Sequence, residues 1–452
     1  MSLSRRLLPI AGAAGLIALS ACGTSTNNTN SSSAGGAGIA GCKGTVSVAT
    51  DLPLTGGDAT DGPFPAHGAE LAVFQANQNK VLGGCTLKYI SKDDSSVAKN
   101  GHDPAQGAQN ITALAADSSV VGVVGPFNSS VALAEIPKAT AAHLALISPS
   151  NTNPCLTAVV PVCSDPTIKI DTASLYQGPH TYFRVIASDV SQGTILGYVA
   201  AKSLNATKAY VIDDQEAYGR GLALLFEKSF MAQGGTVVAS TSLPGATTTF
   251  ATQMSDAQSK GAQVLFFGGT TGNGCGLVRR DMAAAGLTIP LLGGDGCQDT
   301  KFITDANSGS KATAAEGAEA TSAPDVTKLS SSTQFYSDYA SHFSSLTPPN
   351  NDAKKEPYSA YGYDAMNILI QAIKAAINAN SGQLPSDAQT FRDAVVQQLH
   401  STAYDGALGH TTFDSNGDTT NTGFTLYKVS GGAWTADKTY AVDTSGTVTV
   451  KG

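Results

Sequence analysis

From Thr45 onward the chain alternates short apolar runs rich in β-branched residues with longer stretches of helical spacing, the pattern of βαβ units on a mostly parallel sheet. The first run predicts strands at Thr45–Thr50, Thr86–Ser91, Val120–Val124 and Ala145–Ser148, with helices over Phe64–Ala76, Pro104–Ala116 and Val131–His143. A Cys- and Pro-bearing stretch, Pro154–Pro179, then breaks the rhythm as an insertion or a connection. The rhythm restarts with strands at Tyr182–Val185, Ala209–Asp213, Thr236–Ser240, Val264–Phe267 and Pro290–Leu292, separated by helices over Val190–Leu204, Gly219–Ala232, Phe250–Lys260 and Leu277–Ala285. Past Glu316–Thr321 come helices at Ser332–Phe343, Tyr358–Asn378 and Asp387–Leu399, and a β-rich tail at Thr411–Phe413, Gly423–Val429 and Trp434–Tyr440. Two α/β lobes of similar construction are expected, with a cleft between them at the carboxyl ends of their strands.

The stretch Val120–Ser130, V-V-G-V-V-G-P-F-N-S-S, shows what such a cleft offers. Its apolar half fits a strand buried on both faces, and the Gly-Pro-Phe-Asn turn ends that strand abruptly. Ser129 and Ser130 are N-cap candidates for the helix that follows, where unpaired N–H groups, the positive end of the helix dipole and neighbouring hydroxyls make a seat for a small anion such as a carboxylate. Taken alone, Ser129 is more often a plain helix cap.

Length and composition narrow the function classes. At 452 residues the chain exceeds one ordinary core, and with 42% hydrophobic and 14% charged residues most of it can bury one. A formal charge of −8 gives no basic face for nucleic acid. At the amino terminus Arg5 and Arg6 precede an apolar run, Leu7–Leu19, too short to remain as a membrane span, so residues 1–21 are expected to be an export signal. Leu19-Ser20-Ala21-Cys22 resembles a bacterial lipobox, which implies cleavage before Cys22 and acylation of that cysteine, with several acyl chains giving a firm anchor. The Arg pair leaves the route, general secretory or twin-arginine, open. Residues 22–41 are uncharged up to the fold and dominated by Ser, Thr, Asn, Gly and Ala, a tether with a mean reach of roughly 25 Å.

Seven cysteines less Cys22 leave six, an even number suited to an oxidising compartment. Position suggests Cys42 with Cys85, each just before a predicted strand, Cys155 with Cys163 around a local loop, and Cys275 with Cys297 joining turns after successive strands. Other pairings, and one or two free buried thiols, stay open. No C-x-x-C pair occurs, and seven dispersed histidines form no ligand pair, so neither metal nor cofactor is expected. The Phe413–Asp418 turn, F-D-S-N-G-D, mimics half a calcium loop but lacks the Gly and distal Glu of an EF-hand, and reads as a hairpin turn.

Four turns after strands carry polar groups: Gly125–Ser130 and Ser148–Thr152 on the first lobe, Asp213–Gly219 and Gly293–Gly296 on the second. The first pair offers hydroxyls and N–H donors, the second an aromatic hydroxyl and a carboxylate, which together suit a zwitterion.

The ordered motifs G-P-F-N-S-S, I-S-P-S-N-T, V-I-D-D-Q-E-A-Y-G-R-G, F-F-G-G, L-L-G-G-D-G and F-D-S-N-G-D closely resemble the type I periplasmic binding proteins of the branched-chain amino acid class, extracytoplasmic receptors of ABC importers. The likeness runs from Thr45 to Trp434. It implies two Rossmann-like lobes with parallel sheets, joined by three crossovers that close on a ligand like a hinged trap. On that basis lobe 1 comprises 42–184 plus 323–405, and lobe 2 comprises 185–322 plus 406–452. The resemblance further implies that Ser129 and Thr152 receive a ligand carboxylate, that the Ser150 carbonyl and Thr152 hydroxyl accept from its ammonium, that Asp295 pairs with the ammonium charge, and that Tyr218 seals the cleft. Phe127, Thr270 and Asp61 fall on turns that line the cleft in this family. Where relatives often carry aromatic residues after the Gly-Gly pair, this chain has Thr270-Thr271-Gly272-Asn273, which points to a wider or more polar side-chain wall.

The expected function is therefore a non-enzymatic, monomeric, lipid-anchored receptor at the outer face of the cytoplasmic membrane, handing an amino acid or similar zwitterion to an ABC permease. Two other classes stand beside it, a sensor for a membrane signalling partner and an exported α/β hydrolase; turnover abolished by Ser129→Ala would mark the latter.

Overall fold

The computed structural model describes Ile39 and residues 41–168 and 170–451; the expected signal, Cys22 and nearly all of the tether lie outside them. In the first lobe β1 (Gly44–Leu52), α1 (Pro63–Gln78), β2 (Cys85–Asp93), α2 (Pro104–Ala116), β3 (Val120–Val124), α3 (Ser129–Ala141), β4 (Ala145–Ser148), the one-turn α4 (Thr172–Leu175) and β5 (Tyr182–Arg184) follow in order. The strands pair in parallel as β2-β1-β3-β4-β5. Every residue of β3 is buried, as an apolar run covered on both faces requires. Tyr182–Arg184, at which the rhythm restarts in the sequence, is the edge strand of this first sheet.

The chain then passes to the second lobe through α5 (Asp189–Tyr198), whose end widens into a π turn, Val199–Ser203. β6 (Lys208–Asp213), α6 (Ala217–Ala232), β7 (Thr236–Ser242), α7 (Ala251–Ser259), β8 (Val264–Gly268), α8 (Cys275–Ala284), β9 (Leu291–Gly293), α9 (Thr300–Ala306) and β10 (Glu319–Ser322) build it. A second passage returns to the first lobe, where α10 (Thr333–His342), α11 (Tyr358–Ala379) and α12 (Ala388–Leu399) pack. After a small hairpin, β11 (Ala403–Gly406) and β12 (Gly409–Thr412), a third passage delivers β13 (Gly423–Ser430), β14 (Ala433–Val442) and β15 (Val448–Val450) to the second sheet. That sheet runs β15-β14-β13-β10-β9-β8-β6-β7, parallel from β7 to β10 and antiparallel beyond. The architecture is the two-lobed α/β fold with three crossovers that the motifs imply.

α11 seats itself on α1 by backbone contact. A Cβ on Gly68 would lie 2.2 Å from the Ser359 carbonyl, and one on Gly362 would lie 2.2 Å from that of Pro65. Only glycine permits so close a crossing, and it fixes Tyr358, the first residue of α11. The disulfides are Cys42–Cys85, Cys155–Cys163 and Cys275–Cys297, the pairs that position suggested. No helix among the described residues is long and apolar enough to cross a membrane.

Candidate functional site

The first-lobe wall is two turns laced together. The Ser148 hydroxyl, at the end of β4, donates to the Pro126 carbonyl at 2.7 Å and accepts from the N–H groups of Ser150 (3.2 Å) and Asn151 (2.9 Å). The Phe127 carbonyl accepts from the Ser150 hydroxyl at 3.0 Å and from Asn151 Nδ2 at 2.6 Å. α3 begins at Ser129, one residue earlier than the Ser-cap reading expects: Asn128 is the extended residue at the cap position, and Ser129 is a buried first helical residue. Its position still sets it at the positive end of the helix.

Behind these turns sits Arg184, fully buried. It donates to the carbonyls of Asn151 (3.2 Å) and Asn153 (2.8 Å), to the Thr157 hydroxyl (2.8 Å) and to Asp418 Oδ1 (2.6 Å). The Phe413–Asp418 turn closes as a hairpin turn, with a bridge between Phe413 and Thr419. Its Asp418 supplies the counter-charge that lets Arg184 clamp the residues on either side of Thr152. The Thr152 hydroxyl is buried, with the Asp189 carboxylate beside it.

The second wall centres on Asp295, just past β9. Oδ1 accepts from Tyr218, on the first turn of α6, at 2.7 Å and from Gln192 Nε2, on α5, at 2.7 Å. Oδ2 accepts from Tyr358, on α11, at 2.6 Å. Burial raises the Asp295 carboxyl above the ordinary range, and the three donors oppose that rise. Both tyrosine hydroxyls are pushed well up by burial and by the Asp295 charge, and so remain donors.

The walls meet in two places. Tyr358, carried by α11 of the first lobe and edge-to-face on Phe127 with ring centroids 5.4 Å apart, reaches across to Asp295. Asp189, at the start of α5, donates its N–H to the Thr152 carbonyl at 2.7 Å, and its buried carboxylate lies beside the Thr152 hydroxyl. Burial, then the Asp295 charge, holds Asp189 well above the usual carboxylate range, with the nearby Thr152 hydroxyl opposing.

Phe127, Ser150, Thr152, Tyr218 and Asp295 therefore converge, with Ser129 on the same turn as Phe127. Thr270 flanks them: its methyl would be 3.1 Å from a Cβ placed on Gly296, and its hydroxyl accepts from the Asn273 N–H at 3.2 Å. Asp61 belongs to a neighbouring acidic group with Asp299 and Glu356, where burial and the other two charges raise it well above the ordinary range. Asp299 is pushed up to about 6, chiefly by burial.

Asp189, Gln192, Glu356 and Tyr358 are missing from the sequence-derived site. Asp189 and Gln192 are spaced i, i+3 on the first turn of α5, the helix entered from the first crossover, and Glu356 and Tyr358 stand at the start of α11, after α10. No local motif marks these four. Toward solvent, a cavity of about 730 Å³ opens between the lobes, lined by Asp58, Asn100 and His102 on one side and Asp214, Glu216, Thr247 and Asn273 on the other. Asp58 and His102 pair there at 2.9 Å.

Residues 45–433 match the family model described as periplasmic binding protein. The Leu/Ile/Val-binding protein homolog 1 of Brucella suis biovar 1 (strain 1330) is 27% identical over 390 residues, 86% of this chain and 91% of that protein. Among solved structures, a leucine binding protein LivK from Thermotoga maritima MSB8 superposes with a TM-score of 0.70 at 23% identity, covering 87% of this chain and 98% of its own. A solute binding protein from R. palustris, in complex with benzoate, superposes with a TM-score of 0.67 at 20% identity, covering 87% and 95%. With the motifs, the three-crossover fold and a family match over most of its length, the chain belongs to the periplasmic binding protein family, in its type I, Leu/Ile/Val-binding-protein class.

Proposed function

We propose that this chain is the extracytoplasmic substrate-binding component of an ABC importer and captures a small amino acid or related zwitterion between its lobes. The observation that carries the reading is the pairing of unlike walls: hydroxyls and a helix start on lobe 1, and on lobe 2 an acid whose hydrogen bonds all come from neutral donors. Those donors oppose the rise that burial causes and favour the charged form of Asp295, no protein cation stands among them, and an ammonium is its natural complement. Ser129 and Thr152 take the carboxylate, the Ser150 carbonyl and Thr152 hydroxyl share the ammonium, Tyr218 closes the cleft, and Phe127, Thr270 and Asp61 shape the side-chain space. Each charge-assisted bond contributes about 1.5–3 kcal/mol, so three or four support roughly micromolar capture without chemistry on the ligand. The names of relatives such as the Brucella suis protein support an aliphatic amino acid; the benzoate complex makes amine-free carboxylates the contrasting class.

The lobe boundaries 42–184 plus 323–405 and 185–322 plus 406–452 belong to this proposal, as do anchoring through acylated Cys22, action as a monomer and delivery to a membrane permease. A thermal-shift panel of amino acids, amides, short-chain acids and benzoates tests it. One amine-bearing member should raise the melting temperature of the purified protein, by about 2.7 kcal/mol of added stability at a hundredfold excess over Kd. A flat panel, or a response to benzoates alone, would defeat the ligand class.

A further inference from the structure

At the carboxyl edge of the first sheet, outside the Asp295 site, three acids from separate elements face one another. Asp51 is the penultimate residue of β1, Asp94 follows β2, and Glu135 lies nearly two turns into α3. Their ligand oxygens all lie within 4.8 Å of one another, and each residue is 0% exposed. Asp51 Oδ1 accepts from Asn110 Nδ2 of α2 at 2.8 Å. The other five oxygens of the group, Asp51 Oδ2 and both of Asp94 and of Glu135, are buried without a donor from outside it, the Asp51 and Glu135 carboxyls lying against each other. α2 approaches so closely that a Cβ on Gly107 would sit 2.7 Å from Glu135 Oε1. Stripping carboxylates of water with no donor in return costs several kcal/mol per ion unless a cation meets them.

We propose that Asp51, Asp94 and Glu135 bind a divalent cation, calcium in preference to magnesium. Oxygen-only ligands select a hard cation. Magnesium dehydrates reluctantly and usually keeps several waters with one or two carboxylates, whereas calcium accepts a shell of protein oxygens, so a fully buried group of three carboxylates favours calcium. Asn110 would orient Asp51 from outside the coordination shell, as such partners do. The ion ties the end of β1, which leads into the Pro53–Phe64 turn, to α3, which starts at Ser129, and so stiffens the first-lobe wall from behind. The sequence shows no ligand spacing because each acid arrives on its own element. This inference stands apart from the identity of the captured ligand.

The test uses purified protein, analysed for bound metal by mass spectrometry, then stripped with a chelator and melted at neutral pH with calcium or magnesium. One equivalent of calcium, and a melting temperature that rises on calcium addition by about 4 °C or more at saturation, are expected. D94N and E135Q should melt higher than the stripped parent, because a desolvated charge is gone, and should lose the calcium response. No bound calcium together with no calcium response of the stripped parent would overturn the site and leave three acids held protonated. A response that survives both substitutions would place the ion elsewhere, and an equal response to magnesium would overturn the choice of cation. Should the variants fail to fold, the chelator and titration results on the parent protein decide alone.

Discussion

Asp295, partly buried, and the fully buried Asp51–Asp94–Glu135 group are acids met in opposite ways. Asp295 draws hydrogen bonds from Gln192, Tyr218 and Tyr358, on three helices, and burial raises its carboxyl against their pull. The triad draws one from outside the group, from Asn110; burial pushes Asp51 up to about 7 and holds Asp94 and Glu135 well above the ordinary range. The lesson is that neutral donors offset the desolvation of a buried carboxylate and favour its charged form, whereas a carboxylate group without outside donors must take up protons or a cation. Asp418 supplies the third solution, a guanidinium from its own chain.

Four experiments press on this comparison. The largest effect belongs to the Arg184 pair: Arg184→Met leaves Asp418 and two carbonyls without their partner, and denaturant unfolding should show a loss of about 3–5 kcal/mol. A loss below 1 kcal/mol would mean that the clamp behind Thr152 is dispensable. Next, Asp295→Ala should weaken an amine-bearing ligand about 10- to 100-fold in calorimetry while sparing an amine-free carboxylate. Equal weakening of both would assign Asp295 a structural role only. Tyr358→Phe removes one of the three donors, costs about 1 kcal/mol, and should weaken the same ligand severalfold with the fold intact.

The smallest effect is a slope with pH at the cleft mouth. Burial lowers the His102 pKa, but the Asp58 charge and hydrogen bond outweigh it and raise the group above its ordinary 6.5. Burial likewise opposes the net fall of Asp58 below 3.8, which His102 drives. The His102 contribution is complete below its unfolded pKa and fades as pH rises through the folded value; that of Asp58 is complete above its unfolded pKa and fades as pH falls through the folded value. Melting temperature should therefore be best supported by this pair between about pH 4 and 6.5 and decline toward pH 8.5, a decline that His102→Gln removes. An unchanged slope in that variant would clear the pair of any part in it.

Much of the fold was legible because buried parallel strands announce themselves as β-branched runs. Val120–Val124 is found with its predicted ends, and Pro104–Ala116 likewise. Boundaries drifted where tertiary contact decides them: the helix expected over Val190–Leu204 begins at Asp189 and changes to a π turn at Val199. β15, Val448–Val450, went unseen because three residues carry no period, and α9 because Thr300–Ala306 is too short to show one. At the site, residues on strand-to-helix turns could be read from local motifs, Asp295 and Tyr218 among them. Gln192 and Tyr358 could not, since what brings them to Asp295 is the path of the chain between lobes, which no local pattern records.

Cys297 lies two residues after Asp295 and is bonded to Cys275, the first residue of α8. The turn that presents the acid is thus stapled to its own lobe, independently of whether the lobes are together. Reduction would leave that turn held by hydrogen bonds alone, one of which comes from Tyr358 of α11, on the first lobe, which the cleft must release to admit a guest. An oxidised protein keeps its acid aimed while empty, so the first encounter with a ligand meets a finished half-site rather than one that must be rebuilt at each opening.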